Sequence, residues 1–295
     1  MQDAIFEDHR PRLMALSYRM LGSHSDAEDA VQDVWLRWRA ARHDELRDVT
    51  GWLVRVCGNI CLDVLKSARR QRETYVGQWL PEPWVPSIPP EAEDNLILRD
   101  DLSQAYLLML ERLDPVERVA LVLHEVFDWN HDAIAPVIDR TANNARQILF
   151  RARRKMADDV PGSPLRAADI MMADRDDIAA FVEAFGSGDV TRIMAHLAPD
   201  VTLHSDGGGK ASAAVNRIYG ADHVARFFAG IRRKAPAGYI SEIVRGGAEY
   251  WLLLRMKSGE MPVTAISFRQ DDTGLHDIFI HRNPDKIALF ARLAA

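Results

Sequence analysis

Five prolines fall within ten residues, Pro81, Pro83, Pro86, Pro89 and Pro90. They belong to the stretch Gly77-Gln78-Trp79-Leu80-Pro81-Glu82-Pro83-Trp84-Val85-Pro86-Ser87-Ile88-Pro89-Pro90. Each proline lacks an N–H donor, and its ring clashes with a preceding helical turn. No helix crosses this stretch, which favours an extended, semi-rigid tether. A second break, Pro161-Gly162-Ser163-Pro164, follows. The chain is thereby divided into helical pieces at 1–75 and 101–160, linkers at 76–100 and 161–173, and a third piece at 174–295. In the third piece two short helices lead into apolar runs of strand character. These are Val201 to His204, Tyr250 to Met256, Val263 to Phe268 and Leu275 to Ile280. The expected fold is multidomain: two all-α domains followed by an α+β domain.

At 295 residues the chain has length for about two or three such domains. No run of about 18 apolar residues exists, so no transmembrane helix is expected. The N-terminus is acidic and lacks the plan of a signal peptide, which points to the cytoplasm. Cys57 and Cys61 stand four apart on a predicted helix and read as buried, inert thiols. A zinc site needs more ligands, so no metal and no cofactor is expected.

The net charge is −6, yet Arg146, Arg151, Arg153, Arg154 and Lys155 cluster on one predicted helix. That basic run is local and suits a phosphate-binding face. A short apolar helix from about His131 to Ile138 precedes it, followed by a tight turn at Asp139-Arg140 and an N-cap at Thr141. Helix, turn and basic helix form the helix-turn-helix plan, in which the second helix enters the DNA major groove. Ala145, Leu149, Ala152 and Met156 share the packing face. Asn143, Gln147, Phe150, Arg151 and Arg154 face away, with Arg146 on the flank. Asn and Gln pair with adenine and Arg with guanine, while an outward Phe suits a thymine methyl. Pro136 sits awkwardly inside the preceding helix and predicts that it is short or kinked. Upstream, Asp114 with Pro115 and Glu117 forms a capping box that opens a helix to about Phe127.

In the first piece, Ala27, Ala30, Val31, Val34 and Trp38 give one apolar stripe. Asp26, Asp29 and Asp33 run beside it, either as a solvated face or as a docking face for a basic surface. The next helix, Thr50 to Arg72, buries Leu53, Cys57, Ile60, Cys61, Val64 and Leu65. Its other side carries Arg55, Asn59, Lys66 and Arg70. The cations Lys66, Arg69, Arg70 and Arg72 complement the helix dipole or contact nucleic acid. Trp35, Trp38 and Trp52 read as core, with base stacking as the alternative for an exposed one.

The order of these parts resembles the bacterial extracytoplasmic-function sigma factors. Tyr18-Arg19-Met20-Leu21-Gly22 with Asp26-Ala27-Glu28-Asp29-Ala30-Val31-Gln32-Asp33 is similar to their core-polymerase-binding segment. Trp52-Leu53 through Asn59 and Asp63 is similar to the segment that opens the −10 element, and the helix-turn-helix to the one that reads the −35 element. Trp79-Leu80-Pro81-Glu82-Pro83, Asp206-Gly207-Gly208-Gly209-Lys210 and Asn283-Pro284-Asp285-Lys286 look like signatures of the subgroup fused to a cone-shaped SnoaL-like domain.

The resemblance implies that Asp26, Asp29, Gln32 and Asp33 dock on core RNA polymerase. It implies that the loop from Arg39 to Thr50 and Asn59 capture a flipped −10 base while Lys66, Arg69 and Arg70 hold its backbone. Asn143, Arg146, Gln147, Phe150 and Arg151 would then read −35 bases, with Arg153, Arg154 and Lys155 on phosphates. Trp79, Leu80, Pro81, Glu82 and Pro83 and the turn Asp206, Gly207, Gly208, Gly209 and Lys210 would be regulatory. The C-terminal domain would tune activity in cis, in place of a separate anti-sigma protein. Asp139 departs from the glycine usual in the turn.

The Gly-rich turn lacks the spacing of a phosphate loop and is expected to approach the tether. Two other readings are a small-ligand-sensing DNA-binding regulator and a SnoaL-like enzyme. For an enzyme the available acid–base groups are His204, Asp206, His276 and Asp277, and His204 and Asp206 share a face by alternation.

Overall fold

The computed structural model describes residues 2–72, 75–84, 103–157, 171–234, 238–246, 249–257, 259 and 262–293. The chain forms two compact units, one of residues 1–74 with 107–158 and the other of 75–106 with 159–295.

The first unit is helical. Helices α1 (Gln2–Leu21), α2 (His24–Ala40) and α3 (Val49–Arg72) pack through Leu13, Leu16 and Met20, the predicted α2 stripe, and Leu53, Cys57 and Cys61. Ser23 caps α2 by accepting the Asp26 N–H. Both thiols are free and buried, and they share the Ser17 hydroxyl at 3.1 and 3.5 Å. Helix α4 (Gln104–Leu110) precedes α5 (Pro115–Glu125), which opens on the expected capping box. Asp114 accepts from the Val116 and Glu117 amides, and Glu117 accepts the Asp114 N–H. Arg118, nearly fully buried, donates to the Met20 carbonyl at 2.8 Å and to Glu111 at 2.5 Å, tying α5 to the end of α1.

Helix α6 spans only His131–Ile134, four residues shorter than the expected end at Ile138. Pro136 is the reason: with no N–H and a ring that blocks the preceding turn, it ends the helix. The chain then turns through Asp139, whose φ of +52° is left-handed. Helix α7 (Ala142–Ala157) follows, with Thr141 accepting the Asn144 N–H at 3.3 Å.

The second unit is α+β. Its elements are β1 (Met171–Met172), α8 (Arg175–Ser187), α9 (Val190–Met194), β2 (Leu197–Asp206), β3 (Ile218–Tyr219) and α10 (Ala221–Lys234). They continue with β4 (Tyr239–Gly246), β5 (Glu249–Met256), β6 (Pro262–Asp271), β7 (Gly274–His281) and α11 (Pro284–Ile287). The sheet runs β3-β2-β7-β6-β5-β4, with β1 added on β6. The β2–β7 pair is parallel and the other pairs are antiparallel.

Alternation sorts the strand residues between the two faces of the sheet. One face packs Leu203, Leu252, Ile266, Phe268, Ile278 and Ile280 under Phe181 of α8 and Phe228 of α10. The other packs Trp251, Leu253 and Ala265 under Ile287 and Phe290. Burial on both faces explains why β5 reads as an unbroken apolar run.

Candidate nucleic-acid interface

Helix α7 separates its two faces as its spacing predicts. Ala145, Leu149 and Ala152 of the expected packing face are buried against α5 and α6, with Ile148 beside them, and Met156 is half-buried. Asn143, Arg146, Gln147, Phe150, Arg151 and Arg154 are exposed, and Phe150 keeps 69% of its surface in solvent. An exposed phenyl by itself is common on protein surfaces; here it stands among the exposed polar and cationic side chains of the same face. Arg153 and Lys155, expected on phosphates, are held otherwise. Arg153 pairs with Glu125 at 2.7 Å and Lys155 with Glu117 at 2.6 Å. These acids come from α5, so a run without interleaved acids in sequence still meets acids in space.

On α2, Asp29, Gln32, Asp33 and Leu36 form an exposed line at spacings of three and four, with Asp26 half-buried at its start. Leu36 is 52% exposed amid the acids. Trp38 is core and stacks edge-on with His43 at 4.0 Å, while half-buried Trp35 carries the Arg39 guanidinium at 5.0 Å. In α3, Asn59 is half-buried. With Asp63 and Lys66 it lines a hollow of about 300 Å³ whose other wall is Val116 and Val137–Arg140. The face expected to hold −10 DNA therefore lies opposite the turn that leads into α7. Lys66 is exposed and pairs with Asp63 at 3.3 Å; the side chains of Arg69 and Arg70 lie outside the described residues.

In the second unit, Tyr75–Trp84 packs on the sheet domain, with Leu80, Pro81 and Pro83 buried and Glu82 half-buried. Asp206 is its anchor. One carboxylate oxygen accepts from the Tyr75 hydroxyl at 2.7 Å and the Gly208 amide at 2.9 Å. The other accepts from the Leu80 amide at 3.0 Å and Lys286 at 2.7 Å. Lys286 also donates to the Leu80 carbonyl and lies over the Trp79 ring at 4.4 Å. Asn283 donates to the Tyr75 hydroxyl at 3.1 Å. Burial pushes the Asp206 carboxyl up, but the Lys286 charge and the donated hydrogen bonds outweigh it and hold it below the ordinary range.

Gly208 and Gly209 have φ of +60° and +69°. A Cβ on Gly208 would lie 2.4 Å from the Asn283 side chain, and one on Gly209 would lie 3.2 Å from Val76, so glycine at 208 leaves room for Asn283 and at 209 for the tether. Gly207 bonds Lys210 and Ala211 through its carbonyl, and Lys210 pairs with Asp285 at 2.5 Å. Lys210 thus fastens the turn to α11.

Three family models match the chain in order: sigma-70 region 2 at 5–71, sigma-70 region 4 at 103–156, and a SnoaL-like domain at 178–261. The ECF RNA polymerase sigma factor SigJ of Mycobacterium tuberculosis is 37% identical over 81% of this chain and 75% of its own length. Probable ECF sigma factor SigI of the same species is 37% identical over 69% of each chain. The crystal structure of M. tuberculosis SigJ superposes with a TM-score of 0.74 at 30% identity, covering 97% of this chain and 98% of that one. The chain belongs to the extracytoplasmic-function RNA polymerase sigma factors. As such a sigma factor it recognises promoters for RNA polymerase and directs transcription initiation. Its third domain is SnoaL-like.

In this sigma factor the four acid–base candidates of the third domain stay apart from its cavity. His204 stacks on Phe279 at 5.1 Å on the opposite sheet face, and burial lowers its pKa to about 3. Asp206 is engaged in the tether. His276 pairs with Asp277 at 3.4 Å and Asp200 at 3.5 Å, and burial raises Asp277 to about 6. None of the four is among the described residues that line the cavity. Tyr75, Lys286 and Asn283 complete the tether site, and only the last two were noticed in sequence, as part of a signature. The signal for Lys286 was a lone cation beside apolar Ile287 on a short helix. Tyr75 gave none. No described helix is long and apolar enough to cross a membrane.

Proposed function

We propose that Asp26, Asp29, Gln32 and Asp33 dock this sigma factor on a basic surface of core RNA polymerase, and that α7 reads the −35 element. The observation that carries this reading is the exposed face of α7, polar and aromatic, in a chain that matches both sigma regions. Arg146, Gln147, Phe150 and Arg151 contact bases there, and Asn143 and Arg154 lie beside them. Asn59, Lys66, Arg69 and Arg70 serve the −10 element once the hollow at Val137–Arg140 has opened. Arg153 and Lys155 reach phosphates only by leaving Glu125 and Glu117.

The contact of Trp79, Leu80, Pro81, Glu82 and Pro83 with the Asp206–Lys210 turn is the regulatory device, carried in cis and needing no separate anti-sigma protein. It supports this reading that a buried ion pair and the hydrogen bonds at Tyr75, Gln78 and Leu80 hold a segment that leads from region 2 to region 4. The protein acts in the cytoplasm, where its polymerase is.

Transcription in vitro with bacterial core polymerase, on promoters of the neighbouring genes, tests both parts. Core-dependent transcripts from the native chain, lost in Asp29→Lys/Asp33→Lys, support the docking face. A changed yield in Lys286→Met supports the regulatory contact. Full activity of the double variant would refute the first, and unchanged yield in Lys286→Met the second.

A further inference from the structure

The SnoaL-like domain encloses a cavity of about 830 Å³, within the range of roughly 300–1,000 Å³ typical of small-molecule sites. Phe181, Phe185, Phe227 and Leu254 supply apolar wall, and Ser205 and Thr264 add hydroxyls from the sheet. The charged residues on the lining are Arg226, Arg232, Lys234 and Arg282. Among the described residues no carboxylate lines it, although the chain as a whole is acidic.

Arg226 is offset by Asp222 at 2.8 Å, and Arg232 donates to the Gly186 carbonyl at 3.2 Å. Arg282 donates through Nη1 to the Ser212 carbonyl, while its Nε is buried with no partner among the described residues. That nitrogen has almost no accessible surface, so other atoms of Arg282 line the cavity. Four lining cations, with no carboxylate among the described lining residues, give the cavity wall a positive potential.

We propose that this cavity binds an anionic amphiphile, a monocarboxylate with an apolar body of fatty-acid kind. The body fills the aromatic wall and the head meets Arg282 and Lys234. The absence of an acid among the described lining residues disfavours amines, and the four lining cations favour a carboxylate over an alcohol of equal length. The wall at Ser212–Ala214 directly follows the Gly-rich turn, and Gln78 of the tether donates to the Ala214 carbonyl at 3.3 Å. An occupied cavity therefore presses on a loop that the tether touches. The binding site stands on the cavity alone and does not depend on the regulatory reading.

Equilibrium binding of radiolabelled laurate to the full-length chain tests it, with laurate, dodecanol and dodecylamine as competitors. The expected result is saturable binding, with dodecanol at least tenfold weaker and dodecylamine inert. Gly230 lines the cavity, and a Cβ there meets nothing within 4 Å, so Gly230→Trp fills the space without a backbone clash. It should abolish binding with an unchanged circular dichroism spectrum. Gly186→Leu, at an equally open position, is the second filling variant should the first misfold. Arg282→Gln/Lys234→Gln should bring laurate down to the affinity of dodecanol. No laurate binding, equal affinity for laurate and dodecanol, or undiminished binding in folded filling variants would overturn the proposal. Because no polymerase is present, a failed transcription assay leaves the result intact.

Discussion

Lys286 and Asp206 form an ion pair at 2.7 Å with both side chains withdrawn from water, and the Lys286 ammonium also bonds the carbonyl of Leu80. The attraction offsets the desolvation of both charges only because Tyr75, Leu80 and Gly208 complete the carboxylate's hydrogen bonds.

Removing one member of such a pair leaves the other charge buried. Lys286→Met should therefore destabilise the SnoaL-like domain by about 3–5 kcal/mol. The tether, which has lost its bond at Leu80, should become a protease target between Tyr75 and Trp84. Thermal unfolding with timed limited proteolysis checks both. Native-like resistance at Leu80 would show that the buried prolines hold the tether without the ion pair.

Arg151 and Arg153 lie two apart on α7 and should behave differently. Arg151→Ala should cost about 1–3 kcal/mol of binding at one −35 position and little elsewhere. Arg153→Ala removes a half-exposed pair with Glu125, worth about 0–1 kcal/mol to stability, and should leave base preference unchanged. Holoenzyme titrations on base-substituted promoters separate the two. Equal loss on every sequence for Arg151→Ala would deny it a base-reading role.

Glu249 is buried and accepts the Gln104 amide at 3.0 Å; burial raises its pKa from 4.5 to about 7. A raised folded value means stability that is full below about pH 4.5 and lost as pH rises through 7. Asp277, raised to about 6, acts in the same direction. Glu249→Gln cannot ionise, so it should gain on the native chain by up to about 3 kcal/mol between pH 4.5 and 8. Urea unfolding at the two ends of that range measures the gain. Parallel stability curves for the two proteins would contradict it.

Asp139 holds the left-handed turn before Thr141 with φ +52°. Asp tolerates that conformation better than branched residues do. Asp139→Val should cost at least about 1–2 kcal/mol of stability, whereas Asp139→Gly should be neutral or slightly stabilising. Chemical denaturation of the two variants decides, and equal stability would mean that the turn relaxes at no cost.

Features set by neighbours in sequence were legible. The capping box at Asp114 and Glu117, the N-cap at Thr141, the early end of α6 at Pro136 and the two faces of α7 each follow from residues within one or two turns. Features set by distant partners were not. Glu125 and Glu117 claim Arg153 and Lys155 across a helix pair that spacing on α7 cannot reveal. Tyr75 and Lys286 meet across some 200 residues of sequence; Lys286 stood in a recognisable signature, but nothing local marks Tyr75 as its partner. Strand β4, at the sheet edge, is largely exposed and shows little alternation, so it was missed. Helix α10, which supplies much of the cavity wall, was missed as well, although its apolar and basic residues repeat at helical spacing. Alternation on β2 put His204 and Asp206 on one face, but it does not say which face looks into the cavity.

About 30 residues separate the end of α3 from the start of α4, and a chain of that length reaches at most about 100 Å. Promoter elements named for positions roughly 25 base pairs apart lie roughly 85 Å apart on B-DNA. The slack is small. Holding Tyr75–Trp84 against Asp206 and Lys286 takes ten residues, about 33 Å of extended reach, out of that length. Fastening the tether therefore shortens the chain available between the region 2 and region 4 segments. Release of the tether, as in Lys286→Met, should widen the range of spacer lengths that the sigma factor accepts.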